Sequence, residues 1–108
     1  MKIVRVNSDE IKFDNGKMMT FGHEQDCCES NYADFEQLEE RARDVEFVEN
    51  LKFEEVSGYG FRFGNGGSEM FFIPCYSIQD GFYSSDVDIY YDGEHVLNVW
   101  GEIPDYEW

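Results

Sequence analysis

Apolar and polar residues alternate in short runs along most of this chain, the period of a half-buried strand rather than of a helix. Lys2 to Val6 alternates in this way. Ile11–Phe13 and Lys17–Phe21 flank Asp14-Asn15-Gly16, and Asn-Gly tolerates the positive φ of a tight hairpin turn. Val45 to Val56 alternates again and predicts another strand. Phe61-Arg62-Phe63 is a short strand between glycines, and Asn65-Gly66-Gly67 is a second hairpin signal. Met70 to Ile78 is strongly apolar, with Pro74 predicting an edge strand or a bulge. Phe82 to Tyr91 puts Val87, Ile89 and Tyr91 on one face and Asp86, Asp88 and Tyr90 on the other. Asp92-Gly93 then turns the chain into a last strand, Val96 to Trp100.

One stretch breaks the period. Phe35, Leu38 and Ala42 have helical spacing, Asp34 is placed to cap, and Gln37 stands three residues on as its return partner. A short helix from about residue 35 to 44 is therefore expected, packed across one sheet face. The expected fold class is α+β: an antiparallel sheet of six to eight short strands with one helix. The 108 residues fit a single acidic domain, 1–108, and 42% hydrophobic content with 18% aromatics is too much for a disordered acidic tail.

Charge changes the picture most. The chain has 24 acids and 8 bases, a net charge of −16. Residues 24–55 hold twelve acids and three bases, and residues 86–108 hold seven acids and no base. Such a chain repels nucleic acid and anionic membranes, so direct binding to either is not expected, whereas a basic partner is. No apolar run approaches the roughly 20 residues of a membrane span. The N-terminus lacks the unbroken apolar stretch of a secretory signal, and three cysteines do not make a disulfide framework, so the cytoplasm is the expected location.

The segment His23-Glu24-Gln25-Asp26-Cys27-Cys28-Glu29-Ser30 carries the oddest chemistry. His23, Cys27, Cys28 and distant Cys75 have the residue types of a tetrahedral zinc site but not its paired Cys-x2-Cys spacing. A cysteine nucleophile with His23 as base is opposed by the surrounding carboxylates, which raise a thiol pKa. A disulfide between Cys27 and Cys28 would close a strained ring. Ordinary loop packing is the favoured reading: one cysteine inward, and Asp26, Glu29 and Ser30 bonding backbone amides. Gln79 to Val87 reads as a turn entering a strand, or as a polar and aromatic wall beside the His23 loop, with Tyr83 lining a small pocket. His95 reads as a surface residue. No nucleophile, phosphate or cofactor motif is present, so neither an enzyme nor a cofactor is expected.

Phe13-Asp14-Asn15-Gly16, then His23 to Ser30 with Tyr32, then Gly81-Phe82-Tyr83-Ser84 with Val87, have the order and rough spacing of a known group. In these pieces the chain resembles a family of small phage and bacterial proteins with a His-x-Gln-Asp-Cys-Cys-Glu-Ser motif. Phe82 replaces a common tyrosine, and the segment between the expected helix and Met70 is divergent. The family carries no assigned activity. The resemblance implies a phage or mobile-element setting and a structural or binding role for the motif.

Nineteen carboxylates spread over half of about 6,000 Å² of surface would have roughly 160 Å² each. Duplex DNA, as a cylinder of ~10 Å radius with a charge every ~1.7 Å, has on the order of 100 Å² per charge. The two densities are comparable if the acids cluster, which points to a DNA mimic that blocks a basic nucleic-acid-handling host protein. The phage setting that the resemblance implies makes an acidic inhibitor of the anti-CRISPR or anti-restriction kind the expectation. Glu36, Glu39, Glu40, Glu46, Glu49, Asp86, Asp88, Asp92 and Glu94 would stand in for phosphates, with Tyr90, Tyr106 and Trp108 as aromatic anchors. The alternative is a non-enzymatic structural or ligand- or metal-binding domain whose acidity serves only solubility.

Overall fold

The structure is a computed structural model that describes residues 1–22, 30–56, 59–78 and 86–100. Nine strands occur among the described residues. They are β1 (Ile3–Val6), β2 (Glu10–Phe13), β3 (Met18–Gly22), β4 (Ser30–Ala33), β5 (Lys52–Val56), β6 (Gly60–Gly66), β7 (Glu69–Ile78), β8 (Asp86–Tyr91) and β9 (Glu94–Trp100). They form two antiparallel sheets, one in the order β1-β2-β3-β8-β9 and the other in the order β4-β7-β6-β5. The chain thus leaves the first sheet after β3, builds the whole second sheet, and returns with β8 beside β3.

The alternation seen in the sequence becomes the inner faces of these sheets. Ile11, Phe13, Met19, Val87, Ile89 and Val99 from the first sheet are fully buried, as are Phe61, Phe63, Phe71, Ile73 and Cys75 from the second. All belong to one core cluster. Burial of each such large side chain contributes about 1.5–3 kcal/mol. The register matches apolar partners: Ile11 faces Met19, Phe21 faces Ile89, and Phe63 faces Phe71.

The described residues are mostly β, nine strands in two antiparallel sheets, which corrects the expectation of an α+β fold with one sheet of six to eight strands and a helix. Among the described residues there is no α-helix, and 35–44 forms two 3-10 turns, Phe35–Gln37 and Glu40–Asp44. The chain extends between them, with ψ of 134° at Leu38 and 138° at Glu39. Asp34 makes no side-chain cap; its carboxylate instead accepts from the Gln37 amide at 2.8 Å, and that same amide also reaches the Tyr76 hydroxyl at 3.1 Å. Ten residues are marginal for a helix, and a helix here would stack like charges at Glu36/Glu40 and Glu40/Asp44. Packing decides the remainder. Phe35 is fully buried with its ring 5.8 Å from Phe21, and the Arg41 guanidinium lies 4.5 Å over Phe71. The apolar residues at three- and four-residue spacing therefore serve a tight connection, not a helical stripe.

Two strand expectations also change. Of the alternating stretch Val45–Val56, only Lys52–Val56 joins a sheet. Pro74 lies in β7, which is flanked on both sides rather than at an edge. Its carbonyl accepts from the Asp34 N–H at 2.8 Å, just past the last β4 pair, Ala33 with Cys75. Its nitrogen faces that same side, where the ladder has ended and no donor is needed.

Candidate partner-binding site

Four connections meet at one end of the two sheets: residues 14–17, 45–51, 67–68 with Asn65 at the end of β6 beside them, and 92–93. The Asp92 N–H donates to the Met18 carbonyl at 2.9 Å, tying the 92–93 turn to the start of β3. Asp92 and Gly93 have φ of 53° and 81°, the two positive values that a tight Asp-Gly hairpin requires. The 45–51 segment is pinned from several sides. The Phe47 N–H donates to the Met1 carbonyl at 2.7 Å. The Val48 N–H donates to Asn65 Oδ1 at 2.7 Å, and Asn65 Nδ2 reaches the Glu46 carbonyl and Glu69 Oε1, both at 3.0 Å. Tyr91 donates its hydroxyl to the Glu49 carbonyl at 3.0 Å, and Asn15 Nδ2 lies 3.3 Å from Glu49 Oε1.

This arrangement brings carboxylates from both acid-rich segments to one place. Glu46 and Glu49 come from the first, Asp92 and Glu94 from the second, and all four are exposed. Glu46 pairs with the α-amino group of Met1, and Asp92 with Lys17 at 3.9 Å. Glu49, Asp92 and Glu94 rim a hollow of about 400 Å³ whose walls include Leu51, Phe53, Tyr91 and Val96.

The other predicted residues lie elsewhere. Glu36, Glu39 and Glu40 are exposed on the 3-10 connection, with Glu39 held by Arg41 at 2.6 Å. Asp88 and Tyr90 are on the outer face of the first sheet. There Asp88 Oδ1 takes a hydrogen bond from Asn98 at 2.8 Å and sits 2.9 Å from His95 Nε2, while the His95 ring meets Tyr90 edge-on at 5.5 Å. His95 is exposed. The strand position of Asp86 is described but not its side chain, and Tyr106 and Trp108 lie outside the described residues. The same holds for His23, Cys27, Cys28 and Tyr83. Cys75, their distant companion in the zinc reading, is fully buried, and burial pushes its thiol up to about 12. Among the described residues, no group of three His, Cys, Asp or Glu is placed to hold a metal, and no helix is long and apolar enough to cross a membrane.

Sequence reasoning missed Glu69, which Asn65 draws toward the 45–51 segment, and it missed Phe53 and Tyr91 as walls of a hollow. Asn65 read only as a turn residue, and nothing local signals that its side chain reaches back 17 residues to Val48.

Tyr91 gives this end a measurable signature. Its phenol is raised from 10.0 to about 12, first by burial and then by the negative charges of Asp92 and Glu49. A phenol raised in the folded state favours folding below pH 10, and that contribution is lost as pH climbs from about 10 to 12. Ultraviolet titration should therefore show a late-ionising tyrosine that Tyr91→Phe removes, together with the loss of stability across that window.

Comparison of the chain with protein-family models, with curated proteins and with solved structures returned no match.

Proposed function

We propose that this chain is a nucleic-acid mimic that binds a basic nucleic-acid-handling protein, such as a CRISPR or restriction effector, and occludes its groove. One observation carries the reading: Glu49 from one acid-rich segment and Asp92 and Glu94 from the other rim a single hollow, and Glu46 stands on the same pinned 45–51 segment as Glu49. There the hairpin turn and the side-chain bracket of Asn65 hold them on a fixed frame. A fixed backbone beneath these carboxylates lowers the ordering cost when they meet lysine and arginine. The resemblance to phage and bacterial proteins supports the same setting. The competing reading, acidity for solubility alone, predicts no dependence on where the acids lie.

The test is capture from a bacterial lysate at low salt, followed by competition. The expected partner is a DNA- or RNA-handling protein that is released by duplex nucleic acid and by raised salt. The variant Glu49→Lys/Asp92→Lys/Glu94→Lys should hold it at least ~10-fold more weakly, since like charges facing a basic groove cost several kcal/mol. A partner indifferent to nucleic acid and to this variant, or no such partner at all, rejects the proposal in favour of the solubility reading.

A further inference from the structure

The hollow at the acidic end has the make-up of a site for one side chain. Its volume of about 400 Å³ is many times the ~30 Å³ share of a water molecule and lies within the range of small-ligand clefts. Its walls are not merely charged. The rings of Phe53 and Tyr91 lie 5.8 Å apart, and Leu51 and Val96 add aliphatic surface. Around these walls stand three carboxylates, Glu49, Asp92 and Glu94, against one ammonium, Lys17.

Lys17 shows how the hollow handles a cation. Its Nζ sits 5.7 Å from the centre of the Tyr91 ring and 3.9 Å from Asp92 Oδ2, an aromatic face on one side and a carboxylate on the other. Glu49 and Glu94 remain on the rim beside it. We propose that the hollow is an arginine site, which takes a single arginine side chain from a protein partner. A guanidinium is planar, weakly hydrated and able to stack on a ring while donating to carboxylates, and this combination suits the half-buried Phe53 ring beside Glu49 and Glu94, with the buried Tyr91 as the wall behind. An ammonium is a more strongly hydrated point charge and gains less from the aromatic walls. The inference rests on the proposed function and deepens it: the partner's contact is one arginine in a hollow as well as a field of positive charge.

The probe is argininamide, with citrullinamide as its uncharged isostere, titrated into isotopically labelled protein. Saturable shifts at Leu51, Phe53 and Val96 are expected with argininamide only. Glu49→Gln and Glu94→Gln should each weaken it about threefold, the effect of one exposed charge pair. Lys17→Met, which removes the resident cation, should tighten it. Equal shifts with citrullinamide, shifts spread evenly to Glu36 and Glu40, or binding that ignores all three substitutions would overturn the proposal. The two readings fail separately. If argininamide binds as expected but no basic partner is captured, the site stands and the mimic does not. If a partner is captured while the hollow stays silent, the arginine site is lost and the mimic stands.

Discussion

Replacing Phe47 by alanine is expected to cost about 3–5 kcal/mol, a large share of the 5–15 kcal/mol that holds a typical domain folded. Phe47 belongs to no strand, yet it is only 2% exposed. Its ring lies 5.8 Å from Phe13 of the first sheet and 5.7 Å from both Phe63 and Phe71 of the second. It is therefore the contact at which a connection joins the two inner faces. The cavity left behind cannot close easily, because the flanking backbone is held by the Met1 carbonyl and by Asn65. The spread of such costs depends on that collapse, which places this site at the upper end. Urea unfolding of the variant should show a lower midpoint at unchanged slope. The neighbouring Val48, 50% exposed, is the control, and its alanine variant should stay within about 0.5 kcal/mol of the parent. A loss below ~1 kcal/mol for Phe47→Ala would mean that the sheets do not close on this ring.

Gly64→Ala should lower stability by about 2–4 kcal/mol, or on the order of 10–25 °C in melting temperature. Gly64 has φ of 156° and lies where the β6–β7 register shifts. A Cβ there would overlap the Glu69 carbonyl oxygen and come within 3.1 Å of the Met70 Cα. Both obstacles are backbone in the paired strand, so relief requires opening the ladder. Gly16 is the contrast, with φ of 90° and nothing within 4 Å of a built Cβ. Gly16→Ala should cost only the conformational strain of about 1 kcal/mol. Parallel thermal melts of the two variants separate close approach from backbone preference, and equal losses would remove the packing argument for Gly64. Because β6 and β7 carry the 67–68 turn, and β6 the Asn65 bracket, Gly64→Ala should also loosen the 45–51 segment that presents Glu46 and Glu49.

The turns were readable because their chemistry is local. Asn15-Gly16 joins β2 to β3, Asp92-Gly93 joins β8 to β9, and both put positive φ where the residues tolerate it. The faces of β8 were readable for the same reason, since a strand's period needs no partner to be seen. The 35–44 segment was misread because the same apolar spacing serves a helix or a pair of tight turns. The choice fell to the Phe35 pocket against Phe21 and the Arg41 stack on Phe71, neither of which local sequence contains. Pro74 was misread because strand order and local pairing differ: β7 is central, but its β4 partner ends one residue short.

By itself, the order of residues determined the strand period, the tight turns, the scarcity of bases and the two acid-rich segments, all of which follow from side chains and their nearest neighbours along the chain. Only the tertiary structure decided that there are two sheets, that Phe47 closes them, and that Glu49 meets Asp92 and Glu94 around Tyr91. Those meetings join residues from 16 positions apart, for Phe47 with Phe63, to more than 40, for Glu49 with Asp92 and Glu94, and long-range packing of the inner faces, which no local preference encodes, sets them.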